Sequence, residues 1–588
     1  MYLRTVKAKG GKGEIYEYIR LVEAYWEDGR SKQRVVSSLG RKDLLAPHLD
    51  TLVRLLQGDK APQPEKSQVQ FQQAAPWGPA LVARALWRQL GLEDNFDRLE
   101  GRSRRLRGES LSLSDRALAL VTHRLCCPGS EHALASFLET AYVSDRSGKR
   151  LHPKWKQHGR VQVDLSWLQR WYRTLDELVE LKERIETELF GRLRDLFALE
   201  PELVFYDLTS TYFEGHGPAE LARHGYSRDG KPRKRQILVG VVMINGWPIA
   251  HHVFRGNLRD SETVADVLND LEKRFGLKRV IFVGDRGMVT TNNLAMLKKR
   301  EQGYLVGLQR RRRKQIYELV QRVKDSEWIE CPVGITAREK AEVPKTRVQE
   351  VTSEGEEIRT FVVHSEEREQ YEQTMRAKSM QRTREALEKL AERVRAGRIK
   401  KPEKIGQAVG RIMMRNHGHR YYDWKLDNGV FEYFEHPVHL EREKAYEGKY
   451  LIQTEEKGFG AVEAVSSYKE LSEVERGFRE IKDILKMRPI YHRNEERVRA
   501  HLFVAALAFL LDRALEKKLK TAGVPLSAAQ ALKTLETIHV VDIAIDRHHK
   551  RGVTGGSKRA QQVLAAIGIR EDDRQLPIAQ KMSSEAAS

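Results

Sequence analysis

Cysteine is almost missing: Cys126, Cys127 and Cys331 are the only ones in 588 residues. Three thiols without a C-x-x-C pair cannot build a disulfide framework, which favours a cytosolic compartment. Long apolar runs are missing too. The longest, Leu502–Leu511 (LFVAALAFLL), is about half of the ~20 residues a membrane span needs and reads as a buried helix. The opening residues (MYLRTVKAKGGKGEIYEYIRL) lack the continuous apolar stretch of a secretory signal. The expectation is a cytoplasmic protein with no membrane partner. Acidic residues are in deficit, 83 against 104 Lys and Arg, so the net charge is +21. What remains is ordinary: 40% hydrophobic and 32% charged residues exclude global disorder and a collagen-like chain. The length is enough for several domains with large cores.

The basic excess points to a polyanion. Phosphate backbones are the commonest large one, and neutralising them releases counterions. An anionic lipid surface would call for a basic amphipathic helix with a Trp/Phe/Leu face, and none stands out. A basic but merely solvated surface is the plain alternative.

The pattern along the chain divides it. Residues 1–58 carry strand-like stretches, Tyr16–Trp26 and Gln33–Leu39, around an Asp28-Gly29 hairpin signal. Residues 59–74 are polar with two prolines and read as a linker. Residues 75–198 read as helical, with an entry at Leu111–Asp115 and a long amphipathic helix over Leu165–Phe197. From 199 to 309 the pattern becomes α/β. Three strands come first: Leu203–Asp207, Ile237–Ile244, and Pro248–Phe254 after an Asn245-Gly246 turn. A helix follows, capped by Asp260 or Ser261, then strand Arg279–Gly284, helix Thr291–Arg300 and strand Tyr304–Leu308. Residues 310–455 break the alternation and read as an insertion with strand-like pieces and a charged helix over Glu366–Arg395. Residues 456–525 read as helical from Ser467 to about Lys520, and 526–588 as a helical C-terminal region with a frayed tail.

Three carboxylates carry the chemistry. Asp207 ends the first of these strands (FYDLTSTYFEG), Asp285 ends the fourth (VIFVGDRGM), and Glu475 lies on the later helix (YKELSEVERGFREIKDILKMRP). Tyr468, Glu475 and Lys482 are seven apart, which places them on one stripe of a continuous helix. Leu471, Val474, Phe478, Ile481 and Leu485 form the neighbouring apolar stripe. Carboxylates on strand ends and on an adjacent helix suit two Mg²⁺ ions and phosphoryl transfer. Lys482 would then neutralise a phosphate and Tyr468 contact the DNA backbone or a base.

With these motifs the chain resembles the DDE transposases of bacterial insertion sequences, in the group whose signature is Y-x2-R-x3-E-x6-K. Tyr468, Leu471, Glu475 and Lys482 fall on the four positions, with Leu471 where the family carries Arg. Arg479, one turn beyond Glu475, is a candidate for the missing charge. The contexts YDLT and GDRG resemble the first and second acidic motifs. The resemblance implies a ribonuclease H-like mixed sheet with flanking helices, interrupted by a β-rich insertion, behind a mainly helical N-terminal region that binds DNA ends. It implies a catalytic and metal-binding triad of Asp207, Asp285 and Glu475. Two Mg²⁺ ions, replaceable by Mn²⁺, would serve cleavage and strand transfer. The partners would be double-stranded DNA, as element ends and target, and a second copy of the chain in a nucleoid-associated complex. Hairpin-forming members stack an insertion-domain Trp on a flipped base, and Trp328 and Trp424 are the candidates here.

Each feature has a plainer reading. A lone Asp at a strand end is more often a turn or cap residue. Only the joint placement of Asp207 and Asp285, with Glu475 seven from both Tyr468 and Lys482, favours catalysis over that reading and over Glu470, Glu473 and Glu480. Arg310, Arg311, Arg312, Arg313 and Lys314 are either a solvated loop or a phosphate path, as are Arg102–Arg107 and Lys231–Arg235. His251-His252 and His548-His549 read as strand and loop residues, not zinc ligands. Two other functions compete: a DNA-binding derivative with an inactive core, and a hydrolase using paired carboxylates, which the charge disfavours.

Overall fold

The structure, a computed structural model of the whole chain, describes residues 2–9, 15–27, 30–42, 69–100, 111–156, 162–197, 202–285, 287–288, 290–308, 314–332, 345–352, 357–545 and 548–570. The strands begin with β1 (Tyr2–Lys9), β2 (Ile15–Glu27), β3 (Arg30–Arg41), β4 (Val69–Pro76), β5 (Trp155–Lys156) and β6 (Gln162–Val163). The next are β7 (Leu203–Tyr212), β8 (Gln236–Ile244), β9 (Trp247–Arg255), β10 (Ile281–Gly284), β11 (Gly303–Gly307), β12 (Ile329–Cys331) and β13 (Thr346–Glu350). Last are β14 (Arg359–Ser365), β15 (Tyr422–Asp427), β16 (Val430–Glu435), β17 (Lys449–Thr454), β18 (His539–Ile545) and β19 (His548–Val553). Contacts divide the chain into two units. The first holds Met1–Glu200, Leu208–Leu258 and Glu475–Ser588, and the second Pro201–Asp207 and Arg259–Val474.

In the first unit the expected N-terminal hairpin is β2 and β3, and β1 adds a third antiparallel strand. Helices follow at Gly78–Gln89, Leu92–Glu100, Leu113–Cys126, Glu131–Thr140 and Leu165–Phe197. The expected entry at Leu111–Asp115 is real: Ser112 Oγ accepts the Asp115 N–H at 3.1 Å. β8 and β9 form an antiparallel hairpin on Asn245 and Gly246, with φ of 50° and 73°. Two successive left-handed residues are what a tight hairpin turn demands, and Asn-Gly meets it at low cost. Helix Glu495–Thr521 fills the interior. Its run Leu502–Leu511 is buried almost throughout and packs on Leu165–Phe197, Leu113–Cys126 and β9.

Two expectations for this unit are corrected. Of the expected linker 59–74, residues 69–74 belong to strand β4 and 59–68 lie outside the described residues; and 526–588 is not only helical: β18 pairs antiparallel with β4 and with β19. His548-His549 therefore stand in a strand, not a loop. The partners lie at opposite ends of the chain, so no local window contains both, although the alternation Val69-Gln70-Phe71-Gln72 carries the period of a strand.

The second unit is built on one mixed sheet in the order β12-β13-β14-β17-β11-β10-β7. β10 is parallel to both β7 and β11, and β17 is antiparallel to β11 and β14. The expected succession of three strands, helix, strand, helix and strand is observed over β7–β11, with helices Asp260–Phe275 and Thr291–Lys299. Residues 310–455, expected as a β-rich insertion, divide in two. β12, β13, β14 and β17 extend the sheet. Helices Glu366–Arg395 and Pro402–Arg415 with the β15–β16 hairpin form a separate core around Leu387, Leu390, Ile405, Val409 and Phe431.

One buried charge sets a pH dependence in the first unit. Asp512, on the buried helix, has its carboxyl pushed up to about 7, first by burial and then by the Glu480 carboxylate, against the opposing pull of Arg513. A folded-state value above the unfolded ~3.9 adds stability only at low pH, lost as pH rises toward 7. Asp512→Asn is therefore expected to gain stability over the parent as pH rises from 5 to 8, by on the order of 2 kcal/mol. Urea unfolding at both pH values measures this, and an equal difference at the two would contradict the assignment.

Candidate active site

Asp207 and Asp285 lie on neighbouring strands or their direct continuation. The parallel ladder of β7 and β10 pairs Ile281 with Leu203, Phe282 with Val204, Val283 with Phe205 and Gly284 with Tyr206. Asp207 and Asp285 each directly follow a member of the last pair. Neighbouring strands lie about 4.8 Å apart, and residues in register on parallel strands share a face. Both aspartates are half-buried. Asp285 follows the last residue of β10, as expected. Asp207 does not end its strand: β7 continues to Tyr212 through buried Leu208, Thr209, Ser210 and Thr211. Thr209 and Thr211 are β-branched, and β8 lies beside β7 in the sheet order, so the ladder does not stop at the carboxylate.

The residues below and beyond this pair are tied down. The Tyr206 hydroxyl donates to Thr263 Oγ1 at 2.9 Å, and Thr263 Oγ1 donates to the Asp260 carbonyl at 2.8 Å. Burial pushes the Tyr206 phenol well above its usual range. After Asp285 the chain turns, with the Met288 N–H donating to the Asp285 carbonyl at 3.0 Å. Asn293 Nδ2 then donates to the Met288 and Ser261 carbonyls, each at 2.9 Å. A Cβ on Gly287 would lie 3.1 Å from Asp260 Oδ2. The Asp260 carboxylate thus lies against the loop that follows Asp285, a placement the sequence reading missed by treating it as a cap. The cap position belongs to Arg259, whose N–H donates to Glu262 Oε2 at 2.7 Å. The signal was the recurrence of an acid at the start of the helix that leads into β10.

Glu475 belongs to the first unit, the two aspartates to the second. It lies exposed on helix Leu471–Arg479, flanked by buried Val474 and Phe478. Gly477 lets this helix close on the buried one: a Cβ there would stand 2.6 Å from Phe509 Cζ. Arg476 bonds Glu516 at 3.1 Å, and Arg513 pairs with both Glu480 and Glu516.

The expected single helical stripe is corrected. Tyr468 lies on a separate helix, Ala461–Lys469, and Glu480–Ile484 is a π turn. The chain is then non-helical until Asn494 caps Glu495–Thr521 through its side chain, which accepts the Arg497 N–H at 3.1 Å. Pro489 explains the interruption: it lacks an N–H and disfavours helix at the residue before it. Tyr468 places its hydroxyl over Gly307, where a Cβ would be 2.2 Å away, and its ring is 6.0 Å from that of Tyr450. Lys482 is buried, with its ammonium 2.8 Å from Asp229 Oδ1. Leu471, at the position of the family's Arg, is buried in packing, and Arg479 is exposed.

The remaining candidates are dispersed. Arg310, Arg311, Arg312 and Arg313 lie outside the described residues, as do Arg102–Arg107, and Lys314 opens helix Lys314–Gln321. Trp328 and Trp424 are each half-buried, 5.9 Å from His364 and from Phe431 respectively, so both rings take part in packing. His251 is buried in β9 and pairs with Glu186 at 2.9 Å. Among the described residues one trio, Glu131, His492 and His501, is close enough to hold a metal ion. There His501 Nε2 donates to the Met487 carbonyl at 3.2 Å and Nδ1 faces the Arg124 guanidinium at 3.3 Å. Burial holds this imidazole down at about 3, and both of its nitrogens already face protein groups.

Gly477→Ala is expected to cost about 1–3 kcal/mol of stability through overpacking against Phe509. The loss should shrink when Phe509→Leu is added. A denaturant series on the two single variants and the double variant measures both terms, and an Ala variant as stable as the parent would refute the close approach.

The family model for the transposase DDE domain matches residues 200–511, more than half of the chain. The model for the N-terminal domain of IS1634 family transposases matches residues 3–66. No curated protein matches the chain. No helix among the described residues is long and apolar enough to cross a membrane. The longer match contains both Asp207 and Asp285, and the chain belongs to the DDE transposases of bacterial insertion sequences.

Proposed function

We propose that this transposase binds the terminal inverted repeats of its element and performs Mg²⁺-dependent cleavage and strand transfer with Asp207, Asp285 and Glu475, on a ribonuclease H-like core. The observation that carries the proposal is the register of β7 and β10, whose last pair, Tyr206 and Gly284, is followed on each strand by an aspartate, Asp207 and Asp285. The strand order β11-β10-β7 in the second unit accords with that core. The donor set fits the cofactor, since half-buried carboxylate oxygens are the hard ligands that Mg²⁺ or Mn²⁺ prefers. When bound, such ions supply Lewis-acid stabilisation to displacement at a phosphodiester.

The chain's own residues then do the positioning. The Tyr206–Thr263–Asp260 chain of hydrogen bonds fixes the strand before Asp207, and the Asn293 amide fixes the turn after Asp285. Glu475 is the third carboxylate. Lys482 neutralises a phosphate of the DNA strand, and Arg479, exposed one turn from Glu475, supplies a second cation. Arg310–Lys314 and Lys231–Arg235 position the duplex without reading its sequence. Tyr468 contacts DNA from helix Ala461–Lys469, and Trp328 or Trp424 stacks on an extruded base. Two copies of the chain bring two element ends together.

The test is cleavage of a supercoiled plasmid carrying the element's own ends, with Mg²⁺, by the parent and by Asp285→Asn. Cleavage at the ends by the parent, reduced at least 100-fold in the variant with end binding kept, is the expected result. Robust cleavage by the variant would remove Asp285 from the site. End binding by both proteins with cleavage by neither would instead indicate an inactive derivative.

A further inference from the structure

Lys482 is not alone in its pocket. Its ammonium lies 2.8 Å from Asp229 Oδ1, and the Arg488 guanidinium pairs with the same oxygen. The Asp229 side chain is only 3% exposed and that of Lys482 9%. Asp229 Oδ2 is also buried and finds no hydrogen-bond partner among the described residues. Arg488 turns its other terminal nitrogen to Asp483, which is mostly exposed. Arg228 also acts on the ammonium through space. The buried Asp229 carboxylate thus receives two cations, Lys482 and Arg488, the second of which also reaches the exposed Asp483. Two cations that share one buried carboxylate make a partly desolvated seat for an anion.

Both supports of this group are rigid. Arg488 sits on a segment held from three sides. Arg124 donates to the Lys486 carbonyl and His501 to that of Met487, both at 3.2 Å, while Ile490 exchanges backbone bonds with Tyr212 and Glu214 at 3.0 and 2.9 Å. Asp229 sits in a loop tied by the Arg228 N–H to Ser210 Oγ and by the Lys231 N–H to Ser227 Oγ, each at 3.0 Å. Lys482 itself rises from a π turn, the least regular part of its helix. A flexible four-carbon side chain on such a turn needs an external anchor to hold one position.

We propose that Asp229 is a positioning residue for Lys482: its carboxylate fixes Lys482 and Arg488 as a preformed pair that receives one phosphate of the DNA strand. The inference rests on the reading of Lys482 as a phosphate ligand. Burial pulls the Lys482 ammonium below the usual lysine range, Arg488 and Arg228 act in the same direction, and Asp229 opposes them. Asp229 therefore also keeps the lysine charged. Its role is electrostatic and geometric, and it touches no reacting atom.

The experiment measures binding of the full-length protein to a duplex carrying the element's terminal repeat, against salt and against pH. Each phosphate contact contributes about 0.9 to the slope of log affinity against log salt. Lys482→Ala and Asp229→Asn are each expected to lower the slope by about one contact, so affinity falls about threefold less between 50 and 200 mM salt. The double variant should match Lys482→Ala. From pH 7 to 9 the affinity of Asp229→Asn should fall while the parent's stays level, and adding Lys482→Arg should abolish that fall, because arginine stays charged. A slope lowered by Lys482→Ala but not by Asp229→Asn, or tighter binding by Asp229→Asn, overturns the positioning role and leaves the phosphate reading standing. An unchanged slope in Lys482→Ala overturns the phosphate reading itself. Should Asp229→Asn fail to fold, Arg488→Gln takes its place. It leaves Lys482 and Asp229 as a neutral pair and is expected to lower the slope equally; an unchanged slope there overturns the proposal.

Discussion

A slip of one residue between β7 and β10 would turn Asp207 or Asp285 to the opposite face of the sheet, because side chains alternate along a strand. The chemistry assigned to this chain depends on that register more than on any single contact. Buried neighbours enforce it: Val204, Phe205 and Tyr206 on one strand and Phe282 and Val283 on the other cannot be turned outward without exposing a core. The carboxylates inherit their placement from apolar residues that take no part in chemistry. The cross-link from Tyr206 through Thr263 to the start of the next helix adds a polar lock to the same register.

The strands and turns of the catalytic region were legible because their signals are local. Asn245-Gly246 specifies a hairpin within two residues, the runs around Phe205 and Phe282 read as buried strands, and each stretch carries its own acid. Less legible were features that depend on distant partners. β4 looks like polar linker until β18 pairs with it. The strands within residues 310–455 look like a separate insertion until β17 is found between β11 and β14. The seven-residue spacing of Tyr468, Glu475 and Lys482 matched a family signature, yet it was not one helical stripe. A break after Lys469 and a π turn from Glu480 shift the residues on either side of Glu475. Pro489 and Asn494 were the visible signs that the helical reading to Lys520 was too long. Asp229 could not be found from spacing at all, since its partner Lys482 is brought to it only by the fold.

The carboxylates and cations obey a common logic. Buried charge is costly unless paired, and this protein pairs it along the chain that follows Glu475. Arg476, Arg513, Glu480 and Glu516 lock the Glu475 helix to its neighbour, while Arg124 and His501 clamp the backbone beyond it.

The most direct test of the central claim is a change of metal preference. Asp285→Cys replaces a hard oxygen ligand with a thiolate, which Mn²⁺ accepts more readily than Mg²⁺ does. If Asp285 holds the ion that serves cleavage, the variant should cut the element's ends with Mn²⁺ and fail with Mg²⁺, while the parent uses both. Equal activity of the variant with the two ions would contradict the account.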